Sequence, residues 1–134
     1  MWMEELREFL REPGRRTGTV ESVQALYLDY VTRWHATPAD ERWDPNTTIN
    51  ALGVLVGDLV RERRPELAWR VVAGCRPTVL VLADDALTVA LFPLSDVARA
   101  WMSRELIWMD AYVGAYDPAA AAATSWIPRR AAAR

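Results

Sequence analysis

The sequence predicts an α+β fold, because its apolar residues follow a helical period in the first half of the chain and a strand period afterwards. Over residues 20–34 and 49–63, apolar side chains recur every three or four positions, as in an amphipathic helix. From position 67 the period shortens towards two, in three runs rich in β-branched residues. The links between these runs are short, which favours an antiparallel meander, since parallel strands need long crossovers.

Two or three helices are predicted before the meander, and each has recognisable ends. Residues 1–12 have an amphipathic pattern with apolar side chains on one side. Thr19 is a typical N-cap for the second helix, and Pro38 stops it. Either Asp44 or Asn46 can cap the third helix.

Gly53 and Gly57 lie one turn apart on the third predicted helix. Glycine inside a helix costs about 1 kcal/mol relative to alanine, so two of them need a compensating reason. We therefore expect another helix or a strand to cross this helix closely at the two glycines.

The predicted strands cover residues 67–73, 78–83 and 87–92, and the turn-like segments GCRP and DDA separate them. A final helix is predicted over 96–116, with Ser95 as its N-cap. Its buried side would comprise Val97, Trp101, Leu106, Trp108, Met109 and Tyr112. The helical phase drifts near Ser103, which indicates a kink or a split.

Residues 1–116 are therefore interpreted as a single α+β domain of N-terminal helices, a three-stranded antiparallel meander and a C-terminal helix packed on the sheet. Residues 1–18 would be a peripheral helix and connector. The Ala- and Arg-rich segment 117–134 is predicted to be a mobile tail.

The composition excludes several kinds of chemistry. All 16 basic residues are arginine, and without lysine neither a P-loop nor a Schiff base can form. A GC-rich genome explains this bias most simply. The only cysteine, Cys75, cannot form an intrachain disulfide, and the only histidine, His35, has no orienting carboxylate or nucleophile near it in sequence. We expect no catalytic residue, no cofactor and no metal site, and we interpret Asp84 and Asp85 as turn residues.

The charge pattern also limits the partners. The formal net charge is −2, and Glu62 interrupts the basic cluster RERR at 61–64, so nucleic-acid binding is not expected. No uncharged stretch is long enough to span a bilayer, and the N-terminus lacks the apolar region of a signal peptide. We expect a soluble cytoplasmic protein without membrane contact.

Seven tryptophans are the most unusual feature left. Four of them fall on predicted buried stripes: Trp34, Trp69, Trp101 and Trp108. The other three, Trp2, Trp43 and Trp126, lie in termini or a loop. Tryptophan is enriched at protein interfaces, so these three indicate contact with a partner or a second copy, with capping of the core as the alternative.

Three segments resemble a bacterial family known only as a domain of unknown function. They are the helix segment LGVLVGD at 52–58, the strand residue Trp69, and FPLS at 92–95 before the last helix. Arg99 stands where the family tends to have a basic residue. The resemblance covers roughly residues 20–116, and it implies an α+β fold but no established activity.

Two functions are compatible with the sequence. The first is a non-enzymatic binding or adaptor domain that recognises a protein partner or forms a homodimer, with Trp43 as a contact residue. The alternative is a small-molecule-binding domain or minor enzyme, with Asp58, Trp69, Ser95 and Arg99 around a pocket between sheet and helices. Convergence of these polar residues on a concavity would favour the second.

Overall fold

The computed structural model describes residues 18–72, 79–86 and 88–116, and the fold is built around one buried helix. Along these residues the elements are α1 (Val20–Ala36), a 3₁₀ turn (Ala39–Glu41), α2 (Asn46–Arg63), β1 (Ala68–Val72), β2 (Val79–Ala83), β3 (Ala90–Leu91), α3 (Pro93–Met102) and α4 (Met109–Gly114). The predicted α+β arrangement is confirmed. The predictions for residues 1–17, for Cys75 and for the tail 117–134 lie outside the described residues.

Thr19 caps α1, as predicted. Its hydroxyl accepts a hydrogen bond from the Ser22 N–H at 3.1 Å, and the Ser22 hydroxyl accepts one from the Thr19 N–H at 3.2 Å. This reciprocal pair satisfies two backbone donors that a helix start otherwise leaves free. The buried side of α1 consists of Val20, Val23, Leu26, Tyr27 and Val31.

Helix α2 is the centre of the core, since it packs against α1, α3 and α4. Nearly every residue between Thr48 and Val60 is buried. The helix begins at Asn46 with Pro45 in the N-cap position, so Asn46 is not its cap. Asp44 accepts the Asn46 N–H at 3.0 Å from one position before the N-cap, so neither predicted residue occupies the cap position itself.

The sheet has the order β1-β2-β3, and both pairs of strands are antiparallel. The third strand is much shorter than the predicted run 87–92, because the side chain of Asp84 holds the turn before it. Asp84 accepts hydrogen bonds from the N–H groups of Thr88 and Val89 at 2.8 and 3.3 Å. This confirms the turn role of Asp84 and leaves only two residues to pair with β2.

The predicted final helix 96–116 is split into α3 and α4, with the break near Ser103 where the periodicity drifts. The prediction of Ser95 as N-cap is wrong. Helix α3 begins at Pro93 with Phe92 in the N-cap position, because the fixed φ of proline suits a first helical turn. Ser95 therefore lies inside the helix.

Candidate functional site

Two glycines of α2 allow a strand side chain and a helix backbone to approach it closely. A Cβ on Gly57 would lie 2.2 Å from Cζ2 of Trp69, and a Cβ on Gly53 would lie 2.6 Å from Cα of Leu94. Both separations are far shorter than van der Waals contact, so any side chain at these positions would force its neighbour to move. The expected close crossing is confirmed, and it involves both the sheet and a helix.

Asp58 fixes the orientation of the same indole. Its Oδ1 accepts a hydrogen bond from Nε1 of Trp69 at 3.3 Å, and both residues are half-buried. We call Gly57, Asp58 and Trp69 the indole seat. Two of the residues predicted for a binding site are thus joined, in a contact that also holds β1 against α2.

The other two predicted site residues on the C-terminal side, Ser95 and Arg99, belong to α3. Ser95 is exposed, and Nη2 of Arg99 donates to Asp96 at 2.8 Å. Asp96 is only 4% exposed, and it also accepts a hydrogen bond from the Tyr112 hydroxyl at 2.5 Å. The described bonds of Arg99 therefore lead into the α3–α4 contact rather than to the indole seat.

The tryptophans follow the predicted division in part. Trp101 is fully buried, while Trp34, Trp69 and Trp108 are half-buried against the core. Trp43 is 39% exposed on its loop, where its carbonyl accepts a hydrogen bond from Nε1 of Trp34 at 2.9 Å. Trp2 and Trp126 lie outside the described residues.

Three of the five large apolar side chains that are exposed among the described residues lie in one stretch that was not predicted. Met102, Leu106 and Ile107 are 58, 45 and 77% exposed, and they lie at the end of α3 and in the connection to α4. We call these three side chains the 102–107 surface. Placing Leu106 on a buried helix side was wrong, because α3 ends at Met102 and Arg104 turns the backbone with a φ of 58°. The drift in phase near Ser103 was the only signal in the sequence.

The backbone of this connection is held from α1. The side-chain amide of Gln24 donates to the Leu106 carbonyl at 2.6 Å and accepts the N–H groups of Trp108 and Met109 at 3.2 and 3.1 Å. Three bonds from one side chain thus hold the chain on both sides of Ile107. The exposed apolar side chains project from an ordered backbone rather than from a loop without contacts.

Tyr27 supports the same connection from inside the core. Its ring is fully buried, and its hydroxyl donates to the Glu105 carbonyl at 2.5 Å. Burial raises the pKa of Tyr27 from its ordinary value of 10.0 to about 12, because the phenolate would lose its hydration.

His35 lies in the last turn of α1, as predicted, and it also contacts the connection. Its Nε2 is 2.7 Å from the Trp101 carbonyl oxygen, and Nε of Arg104 is 3.1 Å from its Nδ1. The sequence indicated neither contact, because these residues are more than sixty positions away from His35.

The part of the chain that the structure describes contains no group of three His, Cys, Asp or Glu side chains arranged to hold a metal ion. None of its helices combines the length and the apolar character needed to cross a bilayer.

The described residues thus form a small α+β domain in which a hairpin and a helix rest on one glycine-bearing helix face. Residues 29–112 match the family described as Domain of unknown function (DUF3806), and because this match spans more than half of the sequence, the chain belongs to that family. The indole seat and the FPLS segment lie within the matched residues. No curated protein and no solved structure matches the chain.

Proposed function

We propose that this protein is a non-enzymatic, cytoplasmic binding domain that recognises a segment of a partner protein through the 102–107 surface. The observation that carries the proposal is the exposure of three large apolar side chains within six positions. Exposed hydrophobic residues scattered singly are ordinary on protein surfaces, whereas three of the five large exposed apolar side chains of the described residues fall in this one stretch.

The fixed backbone beneath these side chains supports the proposal. Gln24 and Tyr27 hold the connection by hydrogen bonds to Leu106, Trp108, Met109 and Glu105. A surface that is already ordered loses less conformational entropy when it binds, so more of the contact energy appears as affinity. Without such a role, the exposure of Ile107 brings the fold no evident gain.

The size of the surface favours a short partner segment over a second copy of the chain. Three side chains provide at most a few hundred Å² of apolar area, whereas a standard stable complex buries about 800 Å² on each partner. We therefore expect a transient contact in which a few apolar side chains of the partner cover Met102, Leu106 and Ile107.

The alternative of a small-molecule site around Asp58, Trp69, Ser95 and Arg99 has less support. Asp58 and Trp69 bond each other, and Arg99 bonds the buried Asp96, so structural roles account for these groups. The described contacts bring Ser95 to neither of these pairs.

A comparison of two variants tests the proposal. Ile107→Glu places a charge in the 102–107 surface, and Val71→Glu is the matched control, because Val71 is 63% exposed on β1. Both variants should remain folded. The parent chain and V71E should capture the same proteins from the native lysate, and I107E should not capture them.

Equal capture by I107E and the parent chain, or no specific capture by either, would overturn the proposal. Light scattering after gel filtration provides the second readout. If the parent chain is a dimer that I107E dissociates, the 102–107 surface is occupied by a second copy of the chain rather than by a partner segment.

A further inference from the structure

The side chain of His35 contacts both α3 and the connection between α3 and α4. It lies at the end of α1, and its two ring nitrogens contact the Trp101 carbonyl in α3 and the Arg104 guanidinium in the connection. Arg104 lies between Met102 and Leu106 in the chain, so His35 holds the region from which the 102–107 surface projects.

These two contacts are compatible with only one protonation state of the ring. A carbonyl oxygen only accepts, so Nε2 must carry a hydrogen and donate it to Trp101. A guanidinium only donates, so Nδ1 must be free of hydrogen to accept from Arg104. Both bonds exist together only when the imidazole of His35 is neutral.

Protonation of Nδ1 would turn the second contact from attraction into repulsion. Two N–H donors would then face each other at 3.1 Å, and two positive charges would adjoin. A second cation, Arg42, donates from Nη2 to the backbone carbonyl of His35. Among the described residues no carboxylate forms an ion pair with the ring, and the nearest acid in sequence to Arg104 is the exposed Glu105.

The backbone conformation of Arg104 makes the loss of its bond to His35 important for the connection between α3 and α4. Arg104 has a φ of 58°, a left-handed conformation that costs energy for any residue with a Cβ. Its bond to His35 is one of the contacts that offset this cost. When that bond is lost, the present backbone conformation from Ser103 to Leu106 becomes less stable.

We propose that His35 is a pH-sensitive switch of the 102–107 surface, with the neutral ring holding Arg104 and the connection in place and the protonated ring releasing them. Imidazole side chains exchange a proton in the range that cells use for pH signals. The effect on partner capture rests on the proposed function, whereas the effect on the connection does not.

Amide hydrogen exchange on the full chain tests the switch without a partner. The N–H groups of Arg104 and Glu105 bond the carbonyls of Trp101 and Ala100, so their protection reports the state of the connection. Between pH 8 and pH 5, this protection should fall about tenfold in the parent chain, the effect of one lost charge-assisted hydrogen bond. Amides of α2 should keep theirs.

The variant His35→Gln provides the control, because its amide can still donate to Trp101 but does not titrate. Protection of Arg104 and Glu105 in H35Q should be the same at both pH values. An unchanged protection in the parent chain, or an equal fall in H35Q, would overturn the switch.

The nitrogen chemical shifts of the His35 ring in the parent chain give a test that needs no variant. At pH 8 they should show hydrogen on Nε2 alone, and hydrogen on Nδ1 at that pH would contradict the switch. Partner capture at both pH values separates the two proposals. If the connection opens at pH 5 but I107E never affects capture, the switch stands and the proposed function fails.

Discussion

The indole of Trp69 lies so close to Gly57 that a Cβ at this position would be 2.2 Å from Cζ2 and 2.3 Å from Cη2 of the ring. The next residue, Asp58, accepts the indole N–H at 3.3 Å. The absence of a side chain at Gly57 and the carboxylate of Asp58 together determine where β1 packs on α2. The Gly-acidic pair and the strand tryptophan are therefore one packing unit, although eleven positions separate Asp58 from Trp69.

Alanine at the two helix glycines should destabilise the fold, with Gly53→Ala costing more than Gly57→Ala. At Gly57 the obstacle is the end of a side chain, and we expect a net loss of about 1–3 kcal/mol in the free energy of unfolding. At Gly53 the obstacle is the Leu94 backbone, which moves only if α3 moves. Denaturant unfolding followed by tryptophan fluorescence measures both.

Gly114 provides the matched control, since it also lies in a helix but nothing is within 4 Å of an added Cβ. Gly114→Ala should be neutral or stabilise by up to about 1 kcal/mol, through helix propensity alone. Equal losses at all three positions would contradict the packing explanation.

The free energy of unfolding should decrease as the pH rises from 10 to 12. The pKa of Tyr27 is about 12 in the folded chain against 10.0 for an ordinary tyrosine, so the unfolded chain loses this proton first. Its contribution is fully present below pH 10 and is lost by about pH 12, a total of about 2–3 kcal/mol. Urea unfolding at pH 9, 10, 11 and 12 measures the decrease.

Tyr27→Phe is the control for this pH dependence, because phenylalanine keeps the ring and removes the ionisable group. The absence of lysine makes the test unusually clean, since no amine side chain titrates in the same interval. An identical decrease in Y27F would show that other groups cause it.

Removal of the Tyr112 hydroxyl should destabilise the contact between α3 and α4. In Tyr112→Phe the buried carboxylate of Asp96 loses one of its donors, and a hydrogen bond to a charged group contributes about 1.5–3 kcal/mol. Thermal unfolding should show a lower midpoint.

The exposed pair of Arg33 with Asp29 is the comparison, and Arg33→Gln should change the free energy of unfolding by less than about 1 kcal/mol.

Gln24 should control the order of the connection without any effect of pH. In Gln24→Ala, the Trp108 and Met109 amides lose their acceptor, and their exchange protection should fall by about tenfold. Gln24→Glu keeps the acceptor but turns an oxygen towards the Leu106 carbonyl, so protection of these two amides should fall less than in Q24A. The opposite order would show that the bond to Leu106 dominates.

The sequence was a good guide where the physics is local. Hydrophobic periodicity predicted α1, α2 and the meander, and the capping preference of threonine predicted the start of α1 at Thr19. The two glycines of α2 predicted a close crossing before its partners were known. Each of these inferences depends on residues within one or two helical turns of each other.

The candidate site depended on distant contacts, and the sequence did not predict them. Gln24 bonds residues 82 to 85 positions away, and His35 reaches Arg104 across 69 positions. The burial of Asp96 was equally hidden, because an acid in the first turn of a helix is usually a surface residue. Leu106 was misplaced because a helical period was extended across a break.

Helix α3 links the packing at Gly53 to the position of the 102–107 surface. Its ten residues are about 15 Å long, and Leu94 at one end touches α2 through its backbone while Met102 at the other end belongs to the surface. One end of the helix thus packs directly on Gly53, which has no side chain. A methyl group added at Gly53 would press against the Leu94 backbone and tilt this helix, and so displace the 102–107 surface at the other end, about 12 Å away.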